Sequence, residues 1–124
     1  MTAALLHDRL AVAAALFAFA LSAWAGWSVA RGRGVDAGYF GALVIGQGLL
    51  TVQAIVGAVL WLGHGSRPSR DVHVLYGVVA LLVWPLVLTL TRADRSRREA
   101  ALLAAASLVL WGLLLRAIDT ALPV

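Results

Sequence analysis

Four long apolar segments alternate with short polar clusters along the chain, at roughly residues 10–30, 38–62, 72–91 and 100–118. Each is close to the ~20 residues that a helix needs to cross ~30 Å of hydrocarbon. None shows the ten-residue alternation of a transmembrane barrel strand. The pattern therefore predicts four transmembrane helices.

The connections between these segments read RGRGVDA, GHGSRPSRD and RADRSRRE. Such short loops place consecutive helices side by side and antiparallel. We predict an all-α integral membrane protein made of one domain, an up-down-up-down bundle of four transmembrane helices. Pro85 lies inside the third segment, where it should kink the helix or free the carbonyl one turn earlier. Trp24, Trp27 and Tyr39 are predicted to belong to an interfacial aromatic belt.

Composition supports a membrane location. Of the 124 residues, 62% are hydrophobic and 13% are charged, and a soluble domain of this size has too little interior for that much apolar surface. Cysteine is absent, which excludes disulfides, thiolate metal sites and iron–sulfur ligation. All ten basic residues are arginines that flank apolar segments. They are expected to contact lipid phosphates and set orientation rather than bind nucleic acid.

Arginine counts predict the orientation. The first and third loops carry six arginines, whereas the termini and the second loop carry four. The positive-inside rule therefore places the first and third loops in the cytoplasm. Both termini and the second loop then face outward. Because the three histidines of the chain lie on this side, we call it the histidine side. The first segment is too long for a cleavable signal peptide and is followed by arginines. We expect residence in the inner (plasma) membrane of a prokaryote.

Three histidines, His7, His64 and His73, lie near segment ends on the histidine side. Imidazoles gathered at one level could ligate haem or another metal centre, with His73 and His64 as iron ligands and His7 as a further candidate. The alternative is that they are interfacial residues that bond lipid headgroups or loop carbonyls. Helical spacing places Gly57 below His64 and Gly77 below His73. Small residues there predict close helix packing, room for a flat cofactor, or both.

Three polar residues complete the candidate cofactor site. Gln53 lies near the middle of the second segment on the face of His64 and Gly57, and an amide in lipid needs a partner. That partner could be another helix, a haem propionate, a quinone carbonyl or a transported solute. Arg67 and Arg70, in the second loop, suit haem propionates, since arginine pairs bidentately with carboxylates. They could equally belong to a solvated rim of ion pairs.

Residues 53–62 (QAIVGAVLWL) and 72–77 (VHVLYG) resemble a helix pair of haem A synthase-type proteins. There a Gln-x-x-x-Gly helix runs into a helix opened by a ligand histidine. The resemblance covers about a quarter of the chain and implies one four-helix half of that architecture, with His73 as a haem ligand. The chain lacks the family's His-Arg pair within a helix and its acidic residue in the first outer loop, so oxidation of a haem methyl group is not implied. Four-helix b-type cytochromes are a looser likeness, but they place histidines at two membrane levels and this chain has one.

Three functions remain open from the sequence. The first is a small membrane protein that binds haem b for electron transfer or haem handling. The second is a non-catalytic accessory subunit of a larger complex, or a homo-oligomer, packed through glycine and alanine faces. The third is a small transporter using Gln53 with Gly46 and Gly57, which lacks the charged mid-span residue that coupled carriers usually need. We find no nucleophile, phosphate loop or zinc-protease motif that would name an enzymatic reaction.

Overall fold

The protein is described by a computed structural model over residues 3–64, 71–92 and 95–121. Four helices account for most of this length: α1 (Ala3–Ala30), α2 (Ala37–His64), α3 (Asp71–Thr91) and α4 (Arg97–Ala121). Each contains a stretch long and apolar enough to cross a membrane, and none of the described residues forms a strand. The predicted four-helix membrane bundle is confirmed. The helices extend beyond their predicted spans by between one residue (α3) and seven residues (the start of α1).

The helices form a ring in which each packs against its neighbours in sequence and α1 closes against α4. In the described ranges, α1 and α4 pack most extensively and α2 and α3 least. Helices α1 and α3 therefore face one another diagonally. Only long side chains that point inward can meet between diagonal helices, whose backbones stay apart.

The outer surface shows why this bundle needs lipid. Large apolar side chains remain exposed along every helix; Leu62 is 80% exposed, Leu90 75% and Val44 70%. No soluble protein of this size could present such a continuous apolar surface to water. Hydrocarbon solvates these side chains without cost, so the protein is an integral membrane protein.

Small residues allow the helix backbones to approach one another. Ala14, Ala18 and Ala25 are buried on one face of α1. Across the adjoining interface, the Ser22 hydroxyl donates to the carbonyl of Ala104 on α4 at 2.8 Å. On α2, a Cβ at Gly46 would lie 2.9 Å from both Phe17 and Trp84. These contacts show close helix packing at the buried alanines and at Gly46. The packing prediction is wrong for Gly77, where a Cβ would meet nothing within 4 Å.

A buried polar centre ties all four helices together. The Trp84 indole N–H on α3 donates to the Ser107 hydroxyl on α4 at 2.9 Å. The Tyr39 hydroxyl on α2 donates to the carbonyl of Leu21 on α1 at 3.1 Å. The belt prediction was wrong for Tyr39, which is completely buried, because its hydroxyl reaches a carbonyl inside the bundle instead of the interface. Trp24 and Trp27 are exposed near one end of α1.

Side-chain caps fix the helix starts opposite the histidine side. Asp36 caps α2 by accepting from the Tyr39 backbone N–H at 2.9 Å. At the start of α4, the Glu99 N–H donates to the Ser96 hydroxyl at 3.0 Å. The Glu99 carboxylate accepts from the Thr91 hydroxyl at 2.5 Å and from the Arg95 N–H at 3.3 Å. Glu99 is fully buried. Its hydrogen bonds cap the start of α4 and join α4 to α3.

Pro85 leaves α3 with a carbonyl that no helical N–H can satisfy. The carbonyl is that of Leu81, four residues earlier, because proline has no N–H. The Gln47 side-chain amide on α2 donates to it at 2.9 Å. The predicted freeing of this carbonyl is confirmed, and a neighbouring helix supplies the missing donor.

Candidate functional site

Two of the three histidines meet across the bundle on the histidine side. The rings of His7 on α1 and His73 on α3 have centroids 6.2 Å apart and planes inclined at 76°. His7 lies inside α1, which begins at Ala3. Its ring lies against α2, beside Gly57. Two imidazoles therefore converge from diagonally opposed helices at one level.

His73 is held in one orientation by the backbone of α4. Its Nδ1 lies 2.7 Å from the carbonyl oxygen of Ala117. A carbonyl only accepts hydrogen bonds, so Nδ1 carries the proton in this contact. Nε2 of the neutral ring then holds the free lone pair. Metal-binding histidines are commonly oriented this way, with one ring nitrogen donating to a carbonyl and the other left to bind the metal.

His7 rests directly on the glycine of α2 that the sequence placed in the site. A Cβ on Gly57 would lie 3.0 Å from Cε1 of His7, closer than a side chain normally tolerates. The ring also faces the backbone carbonyl of Gln53. Gly57 thus provides the space that allows the His7 ring to lie against the α2 backbone.

Two polar atoms of this cluster are buried without a hydrogen-bond partner: Nδ1 of His7 and Oε1 of Gln53. Most buried polar groups in proteins are paired, and an unpaired one needs a specific reason. A metal bound by Nδ1 and a hydrogen-bond donor at Oε1 would each satisfy one of these atoms. His7, Gln53, Gly57 and His73 therefore form a single cluster, which we call the histidine cluster.

Four other residues were predicted for this site, and the structure describes the surroundings of one of them, Gly77. The side chains of His64, Arg67 and Arg70 lie outside the described residues. Gly77 is exposed, and a Cβ there would meet nothing within 4 Å. It lies about 40° around α3 from His73, enough rotation to point away from the bundle. The structure therefore gives Gly77 no place among residues that contact a ligand in the cluster.

The described residues contain no group of three or more His, Asp or Glu side chains that could hold a metal ion. A bare ion bound by protein alone usually needs three or four such ligands. Two imidazoles are enough to bind a metal whose other ligands come from an organic cofactor.

Sequence reasoning missed the Ala117 carbonyl, which orients His73. Every residue has a backbone carbonyl, so no residue type marks the one that accepts a side-chain bond. The sequence feature that could have indicated this contact is the small side chain of Ala117. It is buried and lets His73 come close to the α4 backbone.

Comparisons of the chain with protein-family models, with curated proteins and with solved structures found no match. The geometry of the histidine cluster is therefore the basis for assigning a function.

Proposed function

We propose that this membrane protein binds haem b at the histidine cluster, where His73 and His7 would hold it. The observation that carries the proposal is the opposed pair of imidazoles, one of them oriented by the Ala117 carbonyl. Haem iron takes four ligands from its porphyrin and needs one or two from the protein. The donor set of the cluster therefore fits haem better than a bare ion.

The separation of the two rings also supports this pairing. Metal–imidazole bonds are about 2 Å long, so two rings on opposite sides of one metal have centroids roughly 6 Å apart. The rings of His7 and His73 are 6.2 Å apart. Gly57 on α2 and Ala117 on α4 flank the pair with small side chains, which let the two rings lie against the helix backbones.

Bound haem would supply one-electron chemistry between ferrous and ferric iron. Two protein imidazoles, those of His7 and His73, would hold the iron. This favours electron transfer, or passage of haem to another protein, over oxygen activation. His73 would hold the iron in a fixed ring orientation through its bond to Ala117. Oε1 of Gln53, which is buried without a partner, would be an acceptor one helical turn from Gly57 on α2.

A titration of the purified protein with ferric protoporphyrin IX tests the proposal directly. We expect saturable binding at one haem per chain, and a sharp Soret band with the split visible bands of six-coordinate low-spin iron after reduction. The same titration into empty detergent micelles is the control. A spectrum identical to that of the micelles would overturn the proposal.

Gly57→Val offers a test that leaves both histidines in place. The new side chain would collide with the His7 ring, since even a Cβ would lie 3.0 Å from Cε1. We expect haem affinity to fall about tenfold, which corresponds to ~1.4 kcal/mol, and the spectrum to shift towards five-coordinate iron. Gly77→Val is the matched control, because a Cβ there meets open space. Equal affinity in the two variants would argue against His7 as a ligand.

A further inference from the structure

A lateral groove lies between α2 and α3, separate from the histidine cluster. It has a volume of about 610 Å³ and is lined by residues of α2 between Phe40 and Val52 and of α3 between Trp84 and Leu88. This volume falls in the range of ~300–1,000 Å³ typical of small-molecule sites. Val44 and Val52 on its rim are 70% and 48% exposed, so the groove opens towards lipid.

The side chain of Gln47 gives the apolar groove a specific polar feature. Its amide nitrogen donates to the Leu81 carbonyl that Pro85 leaves free, and this bond fixes which end of the amide is the oxygen. The oxygen, Oε1, is buried and has no hydrogen-bond partner. Such an atom in hydrocarbon carries a desolvation cost unless a donor meets it. Because Gln47 lines the groove, a ligand that reached this oxygen with a hydrogen-bond donor would satisfy it.

A second groove residue also offers an acceptor. The Thr51 hydroxyl uses its proton to donate to the backbone carbonyl of Gln47 at 2.9 Å, which leaves its oxygen lone pairs as acceptors. Both polar side chains that line the groove thus favour a ligand that donates hydrogen bonds.

The depth of Gln47 restricts the kind of ligand. Gln47 lies ten residues after Ala37, the first residue of α2, which is about 15 Å along the helix axis. That is near the middle of a hydrocarbon core ~30 Å thick. A phospholipid headgroup stays at the interface, and its acyl chains carry no donor. The donor must therefore belong to a molecule that dissolves in the hydrocarbon itself.

We propose that the groove binds a phenolic ring with an apolar tail, the chemistry of membrane quinols, through a hydrogen bond from its hydroxyl to Oε1 of Gln47. Phe40 lines the groove and presents aromatic surface to a flat ring. Trp84 is 1% exposed and its N–H is already bonded to Ser107, so it offers the ligand no donor. The tail extends along the apolar lining towards lipid.

The test compares radiolabelled 2-decylhydroquinone with its dimethyl ether, under anaerobic conditions, on the protein in nanodiscs. The two probes share ring and tail, but only the first has hydroxyl donors. We expect the hydroquinone to bind about fivefold more tightly, the equivalent of one hydrogen bond of ~1 kcal/mol. Equal binding of the two probes would overturn the proposal and indicate that the groove accepts any apolar chain.

A pair of glycine variants on α2 locates the binding site. Gly48 lines the groove, and a Cβ on Gly48 or on Gly41, which is not among the groove residues, would meet nothing within 4 Å. Gly48→Leu should fill the groove and reduce hydroquinone binding at least tenfold without disturbing helix packing. Gly41→Leu should bind as the native protein does. Unchanged binding in Gly48→Leu would place the ligand elsewhere and refute the proposal.

Neither glycine contacts the histidine cluster, so haem titration of the same variants separates failure of this proposal from failure of haem binding.

Discussion

Replacement of His73 by alanine is expected to abolish specific haem binding. The variant loses the imidazole that donates a hydrogen bond to the Ala117 carbonyl. This bond fixes the ring and leaves its other nitrogen oriented to bind iron. Replacement of His7 by alanine should be milder, since one oriented ligand remains. We expect His7→Ala to bind haem more weakly and to give the absorption spectrum of five-coordinate high-spin iron. Absorption spectra and titrations of the two variants with ferric protoporphyrin IX measure both effects.

Rescue by free imidazole distinguishes loss of a ligand from loss of the fold. Imidazole added to His73→Ala should restore the low-spin spectrum, whereas a collapsed bundle would not respond. Circular dichroism and gel filtration check that the variant remains helical and monodisperse. Native-like haem spectra in both alanine variants would exclude the two histidines as ligands and overturn the proposed function.

Trp84→Ala is expected to cause the largest loss of stability among single substitutions in the bundle. Trp84 is 1% exposed and bonds to Ser107, and its ring contacts the position of Gly46 on α2. Truncation removes packing against two helices and leaves the Ser107 hydroxyl without its donor. Burial losses of this kind cost about 3–5 kcal/mol in protein cores. Unfolding in mixed detergent micelles, followed by circular dichroism, measures the change.

Two further variants separate packing from hydrogen bonding at this position. Trp84→Phe keeps most of the ring but removes the N–H, so it should cost only ~0.6–1 kcal/mol, the usual strength of a hydrogen bond between membrane helices. Trp27→Ala removes a tryptophan that is 64% exposed and should leave the unfolding free energy nearly unchanged. If Trp84→Ala were no more destabilising than Trp27→Ala, the buried polar centre would not hold the bundle together.

The apolar spacing of the chain determined the architecture. Segments of about 20 apolar residues joined by short loops have one economical arrangement in lipid, because every backbone polar group must be satisfied within a helix. The effect of Pro85 could also be predicted from the sequence, because proline lacks the backbone N–H that would bond to the carbonyl one turn earlier. The spacing of Gln53 and Gly57 correctly placed them on one face of α2, and the histidine side was set by counting spans.

Only the tertiary structure decided which side chains meet. Helical spacing gives the direction of a side chain on its own helix but not the rotation of that helix against its neighbours. Gly77 shares a sector with His73 and yet lies outside the bundle, whereas His7 crosses to Gly57 and to His73. Tyr39 turned from the interface to the Leu21 carbonyl for the same reason. The partners of His73, Gln47 and Tyr39 are backbone carbonyls, which every residue carries, so packing alone selects them.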